Sequence, residues 1–311
     1  MTKVTAAAVQ AAPVFLDREA TIDKTCALIK EAASNGAGLM VFPEAFIPAY
    51  PDWVWRATAW EDEALFGRLA DQSVVVPSAA TQRLGAAAKS AHAYVAIGVN
   101  ERETNGSTLY NTLLYFSDTG ALIGKHRKLM PTGGERLVWG MGDGSTLEVF
   151  DSPFGRLGGL ICWENYMPLA RAAIYAQGVE VWVAPTWDNS DAWVATLRHI
   201  AKEARCFVIG VAPCQRGSDI PEEWRGELYG GDDDWLSRGG STIVGPEGDI
   251  LAGPVTEREE ILYAELDVTR ARASRRELDV VGHYARPDVF TLTVDTTPRS
   301  AMSTRQRPGP S

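Results

Sequence analysis

Cysteine and histidine are scarce in this 311-residue chain, with four of each. Cys26, Cys162, Cys206 and Cys214 form no C-x-x-C pair, and the histidines stand at no zinc-ligand spacing from them. No metal and no cofactor are expected, and a reducing, cytoplasmic setting is the simplest reading. Basic residues are short as well: 30 Lys and Arg against 40 Asp and Glu leave a net charge of −10. Non-specific binding to nucleic acid or to an anionic membrane needs basic patches, so neither partner is expected. An anionic substrate held by one local Lys or Arg is not excluded by the overall charge. Charges, Pro or Gly interrupt every apolar run before the ~20 residues of a membrane span. The opening MTKVTAAAVQAAP lacks the continuous apolar centre of a signal peptide. No internal repeat is visible.

What is present is an ordinary globular balance, 45% hydrophobic and 23% charged residues. Short apolar runs alternate with helical periodicity. VTAAAVQ (4–10), LMVFPE (39–44) and YVAIGVNE (94–101) read as strands. The intervening segment 17–34 places Ile22, Cys26, Ile29 and Ala33 on one face of a helix, and 61–71 and 79–91 also have helical patterns. Residues 109–128 read as a hairpin turning at Asp118-Thr119-Gly120, and 147–163 as a strand pair turning at 153–155. Helices over 167–177 and 192–205 alternate with strands over 179–186 and 206–213. A hairpin over 239–254, a strand over 259–268 and a short helix over 269–278 follow. Helix-linked strands favour parallel pairing and hairpins antiparallel pairing, so the expectation is a mixed α/β fold. No linker divides the middle, which points to one domain over 1–295 with a disordered tail over 296–311. Two long polar segments, 129–146 and 214–238, read as irregular loops.

Three residues share one kind of address. Glu44 closes the run LMVFPE, Lys128 follows ALIGKHR, and Cys162 closes LGGLIC. Sites gather at the carboxyl ends of strands in open α/β sheets. An ammonium lowers a neighbouring thiol's pKa, and a carboxylate can take its proton. The ammonium can then stabilise negative charge on a substrate atom, and the protonated carboxyl can serve as general acid. Such a set is complete for hydrolysing a C–N bond through a thioester. Each residue alone has a plainer reading: a buried core thiol, a turn cap, a surface lysine. Periodicity by itself leaves both readings standing.

Longer motifs weigh on that choice. VFPEAFIPAYP (41–51), HRKLMPTGGERLVWGMGDGS (126–145), LGGLICWENYMPLAR (157–171) and GHYARPDVF (282–290) occur in an order that resembles the nitrilase branch of the carbon–nitrogen hydrolase superfamily. The resemblance covers about residues 4–290. It implies a four-layer α-β-β-α sandwich, pairing into homodimers or larger homo-oligomers, and a small-molecule nitrile as substrate. It implies catalytic roles for Glu44, Lys128 and Cys162, and a second acid at Glu135. Ala49 departs from the glycine common there and bears on substrate detail. Trp163, Tyr50 and Trp187 are candidates for substrate contact: Trp163 through its backbone N–H, as a donor to the reacting nitrogen, and Tyr50 and Trp187, with Trp53 and Trp55, as aromatic lining weighed against simple core packing. His126 and His283 read as structural, and Glu164 as either a supporting or a solvated carboxylate. Asp232 to Asp234 lack calcium-loop spacing. The expected reaction is nitrile to carboxylic acid and ammonia. An amidase or a cyanide-degrading enzyme using the same residues is the alternative; an inert α/β interaction protein and a cysteine redox sensor are more distant ones.

Overall fold

The computed structural model describes residues 3–299 apart from 59, 227 and 230. Strands β1 (Lys3–Gln10), β2 (Leu39–Val41), β3 (Tyr94–Arg102), β4 (Leu109–Phe116) and β5 (Leu122–Arg127) join β13 (Glu260–Asp267) in a six-stranded sheet, ordered β13-β1-β2-β3-β4-β5. The second sheet contains β6 (Phe150–Ser152), β7 (Gly155–Gly159), β8 (Val181–Pro185), β9 (Phe207–Val211), β10 (Cys214–Arg216) and β11 (Trp235–Val244). Its order is β10-β11-β9-β8-β7-β6, with β12 (Ile250–Thr256) paired to β11. The helices are α1 (Arg18–Ser34), α2 (Glu63–Gln72), α3 (Ala79–Ala91), α4 (Pro168–Tyr175), α5 (Asp191–Ala204), the single turn α6 (Glu222–Arg225) and α7 (Val268–Ser274).

Alternation on the strands builds the layers. On β1, Ala6 and Ala8 face the opposite sheet, where they meet Leu157, Val181, Val183 and Ile209. Ala7 and Val9 face the other way, onto Ile22 and Ile29 of α1 and Leu84 of α3. Trp182 and Val208 of the second sheet likewise bury against Ile174 of α4 and Leu197 of α5. The result is the four-layer α-β-β-α sandwich. Asp17 caps α1 by accepting from the Ala20 N–H at 3.0 Å. Among the described residues, no helix is long and apolar enough to cross a membrane.

The parallel pairs β1–β2–β3 and β7–β8–β9 set the polarity. Because β4 is antiparallel to both β3 and β5, β5 runs with β2 and β3. The chain leaves β2, β5, β7 and β8 at strand ends that converge on one site.

Strand ends differ from the sequence expectation. The β2 ladder stops at Val41, and Pro43, which has no N–H, closes off further pairing. Glu44 therefore sits on a loop that crosses β3. Gly98 makes the crossing possible: a Cβ there would lie 2.4 Å from the Pro43 carbonyl oxygen and 2.5 Å from the Ala45 nitrogen. The ladder of β7 stops at Gly159, and Cys162 opens a 3-10 turn over Cys162–Tyr166. The segments expected as loops are partly ordered. Residues 129–146 hold two 3-10 turns, and 214–238 hold β10, a 3-10 turn, α6 and the start of β11. The expected tail begins as exposed coil over 296–299; residues 300–311 lie outside the described residues.

Candidate active site

Glu44, Lys128, Glu135 and Cys162 are all buried and meet at one place. The Lys128 Nζ donates to Glu44 Oε1 at 2.8 Å and to Glu135 Oε2 at 2.7 Å. Glu44 also accepts from Asn111 Nδ2 at 2.7 Å and from the Trp187 backbone N–H at 2.8 Å. Glu135 accepts from the Thr132 N–H and the Tyr50 hydroxyl, both at 2.7 Å. One cation thus stands between two carboxylates, and each carboxylate is held by further donors.

The electrostatics follow from burial. Loss of water raises the Glu44 pKa above its ordinary 4.5, against the opposing pull of Lys128. Burial works against the Lys128 charge, yet the carboxylates of Glu44 and Glu135 outweigh it and keep the ammonium protonated. Burial, and then the Glu44 charge, push the Cys162 thiol well above its ordinary 9.0. The resting sulfur is therefore a neutral thiol beside an acceptor of raised basicity.

Cys162 itself has φ +50°, the left-handed region that a non-glycine residue enters at a cost of about 1–2 kcal/mol. Asn165 holds that turn. Its Nδ2 donates to the Leu160 and Cys162 carbonyls at 2.9 and 2.8 Å, while its Oδ1 accepts from Trp182 Nε1 at 2.8 Å. Glu164 ties the turn to the end of β5. It accepts from the Ile161 N–H at 2.9 Å and the Leu129 N–H at 2.7 Å, and contacts His126 Nε2 at 3.1 Å. The residues before Cys162 and after Lys128 thus share one carboxylate. His126 Nδ1 sits 3.1 Å from the Thr146 carbonyl, which places this histidine beneath the site rather than in it.

A cavity of about 290 Å³ opens onto Cys162 and Glu135. Tyr50, Trp55, Trp163 and Trp187 wall it, with Asp188 at its edge. Tyr50 and Trp187 stack with ring centres 4.3 Å apart, and Trp55 Nε1 donates to the Tyr50 hydroxyl at 3.1 Å. Trp163 is half exposed, its Nε1 donating to Asp188 Oδ2 at 2.8 Å. Trp53 is not a wall residue: it is fully buried against Phe15. His283 lies outside the cluster, its ring edge-on to Tyr284. Residues not anticipated from sequence also join the site, among them Asn111 on Glu44 and Thr186, whose Oγ1 donates to Cys162 Sγ at 3.1 Å. Asn111, with Thr112, interrupts an otherwise apolar and aromatic strand run, a usable signal. Thr186 carried none.

The fold is shared with solved structures. The Saccharomyces cerevisiae Nit3 structure, described as a member of branch 10 of the nitrilase superfamily, superposes with a TM-score of 0.74 at 22% identity, covering 91% of this chain and 97% of that one. The family is settled by sequence: the carbon-nitrogen hydrolase model matches residues 5–276, and the chain belongs to that family. Among curated relatives, an aliphatic nitrilase of Sinorhizobium fredii (strain HH103) is 50% identical over 98% of this chain and 100% of its own length. The bifunctional nitrilase/nitrile hydratase NIT4B of Nicotiana tabacum is 44% identical over 94% of this chain and 86% of its own length.

Proposed function

We propose that this protein is a nitrilase, hydrolysing a small organic nitrile to the carboxylic acid and ammonia with Cys162 as nucleophile. The observation that carries the reading is the buried thiol at the floor of an aromatic cavity, beside a lysine clamped between two carboxylates. Identity of 50% and 44% to proteins named nitrilases supports the substrate class.

Cys162 gives its proton to Glu44 as its sulfur attacks the nitrile carbon. The raised basicity of Glu44 suits it to this task. The π pair moves to nitrogen, which takes a proton and gives a thioimidate. Lys128 supports the negative charge that develops there, in a site without bulk water. Water then adds, ammonia leaves and a thioester remains. Glu44, with Glu135, activates a second water to release the acid. If the tetrahedral species expels the thiol instead, an amide results; the relative named for both activities makes this second product one to quantify. Tyr50, Trp163 and Trp187 contact the substrate's side chain. No step calls for a cofactor.

Residues 1–295 are proposed as one catalytic domain, acting in the cytoplasm as a homodimer or larger homo-oligomer. The test is incubation with benzonitrile, phenylacetonitrile, an aliphatic dinitrile, cyanide and the matching amides, measuring ammonia and separating acid from amide. Acid and ammonia from a nitrile, absent with Cys162→Ala, are expected. Turnover of amides alone would move the protein to the amidase reading.

A further inference from the structure

We infer that Thr186 is an additional catalytic residue, its hydroxyl donating a hydrogen bond to the Cys162 sulfur and stabilising the thiolate whenever the S–H or S–C bond breaks. The inference rests on the reading of Cys162 as nucleophile and adds to it a group outside the Glu–Lys–Cys set.

Geometry fixes both the place and the direction of this hydroxyl. Thr186 directly follows β8, the parallel neighbour of the strand that leads to Cys162. Its backbone N–H donates to the Val211 carbonyl at 2.9 Å, which extends the β8–β9 pairing by one residue and anchors the side chain. The residue is fully buried, so no water competes for the hydroxyl. Thr186 Oγ1 lies 3.1 Å from Cys162 Sγ. The same oxygen accepts from the Asp188 N–H at 2.9 Å. A lone pair is thereby committed to the backbone donor, and the one hydroxyl proton is free to point at sulfur. A hydrogen bond donated to an anion is stronger than one to a neutral group, so this contact favours thiolate over thiol.

The need for such a donor follows from the rest of the cluster. Lys128 is the only cation of the set and is engaged by Glu44 and Glu135. Both carboxylates disfavour a negative sulfur beside them. Thr186 offsets this without adding a titratable group. In the first step the Cys162 S–H bond breaks, its proton passes to Glu44, and the S–C bond forms. In the last step water's oxygen replaces sulfur on the acyl carbon and the S–C electron pair returns to sulfur. Thr186 keeps its own proton throughout and donates to the charged sulfur in both steps. A purely structural reading has Thr186 only bracing the turn at 186–188 through the Asp188 N–H.

The test is alkylation of the free enzyme by iodoacetamide as a function of pH, followed by mass spectrometry at Cys162, for wild type, Thr186→Val and Thr186→Ser. Thr186→Val removes the hydroxyl at nearly constant shape. It is expected to lower the Cys162 alkylation rate about tenfold near neutral pH and shift the pH profile up by about one unit. Thr186→Ser keeps the donor and should follow wild type. Melting temperature is recorded for each, and Thr186→Ala, which removes the hydroxyl without the second methyl of valine, carries the comparison against Thr186→Ser if the valine variant folds poorly. An unshifted profile in Thr186→Val, or equal impairment in Thr186→Ser, would overturn the role. Because alkylation needs no nitrile, this outcome is separable from failure of the nitrilase reading, which would show as an absence of nitrile turnover by wild type.

Discussion

Strand β5 and the residue after it serve two charge clusters on opposite faces. Lys125 and Arg127 turn one way and meet Glu101 of β3, which pairs with Lys125 and accepts from Arg127 Nε at 2.9 Å, Arg127 Nη2 at 2.7 Å and Thr112 Oγ1 at 2.8 Å. Lys128 turns the other way and meets Glu44 and Glu135. In the first cluster two cations serve the one buried acid, Arg127 also reaching the more exposed Glu103 at 3.2 Å, and both cations keep part of their surface in water. The two cations hold the Glu101 pKa below its ordinary 4.5 although burial pulls the other way. In the second, one cation serves two acids with all three groups buried, and Glu44 moves up. The same residue types produce a stabilising ion pair in one stoichiometry and a proton acceptor in the other. An excess of acid over base, buried, is what proton transfer near neutral pH requires.

The largest effects should come from the second cluster and the thiol beside it. Cys162→Ala should lower turnover at least ~10³-fold with an unchanged melting temperature. Lys128→Met should abolish turnover and also destabilise, by about 3–5 kcal/mol, since two buried carboxylates lose their cation. Assays of ammonia release alongside thermal melts check both. A Lys128→Met protein that melts like wild type would mean the carboxylates are less dependent on the cation than the geometry indicates.

A sharper contrast comes from neutralising one acid in each cluster. Glu101→Gln should leave nitrile turnover intact and cost about 2 kcal/mol, the order of hydrogen bonds to a charged group. Glu44→Gln should abolish turnover yet melt no lower than wild type at pH 7, since the folded state already disfavours that charge. The pH dependence has opposite signs. Glu101's folded pKa is depressed, so its contribution is present above its ordinary 4.5 and is lost as pH falls through the folded value. Glu44's is raised, so its charge costs stability above 4.5 and the cost vanishes as pH falls. Melts of the two variants between about pH 2.5 and 7 decide this, and a Glu44→Gln protein much less stable than wild type would break the contrast.

On the Lys128 face of the strand lies the His126–Glu164 pair, which spans from β5 to the Cys162 turn. Burial opposes the His126 charge, but Glu164 outweighs it and raises its pKa above 6.5; His126 and two backbone N–H donors hold Glu164 below 4.5 despite burial. The His126 contribution is full below 6.5 and fades as pH rises through the folded value, while the Glu164 contribution is present above 4.5 and fades as pH falls. The pair is strongest in between. Glu164→Gln should therefore lower the melting temperature most around pH 5–6. It should reduce kcat about 10-fold without loss of Cys162, because it loosens the spacing between Lys128 and Cys162. An unchanged kcat would assign the pair to stability alone.

How much of this was legible in the sequence depends on the reach of the signal. The strands and helices were readable because their periodicity is local. So were Glu44, Lys128, Glu135 and Cys162 as candidates, through motifs and strand ends. Trp53 was misplaced among the possible wall residues because a tryptophan two or three positions from Tyr50 and Trp55 has the same composition signal whether it faces Phe15 or the cavity. Glu101's partners were hidden because the pairing needs the β3–β4–β5 register. Thr186 was hidden for the same reason: only the β7–β8 alignment carries it to the sulfur. Strand pairing across long sequence separations decides such contacts.

The smallest expected effect falls at Tyr50. Its hydroxyl donates to Glu135 Oε1 and accepts from Trp55 Nε1, so it joins the acid cluster to the cavity wall. Burial and then the Glu135 charge raise its pKa well above 10.0, so it remains a neutral donor at any working pH. Tyr50→Phe keeps the ring that stacks on Trp187 and removes one of three donors to Glu135. Losing one neutral donor costs about 1 kcal/mol, hence roughly a fivefold fall in kcat/KM. If Glu135 acts on the thioester water, the fall should appear in kcat; if Tyr50 chiefly shapes the wall through Trp55, it should appear in KM. Steady-state kinetics of Tyr50→Phe against Trp55→Phe separates these. A kcat loss confined to Tyr50→Phe would tie the second carboxylate of the cluster to the chemistry, the feature that most distinguishes it from the Glu101 cluster across the strand.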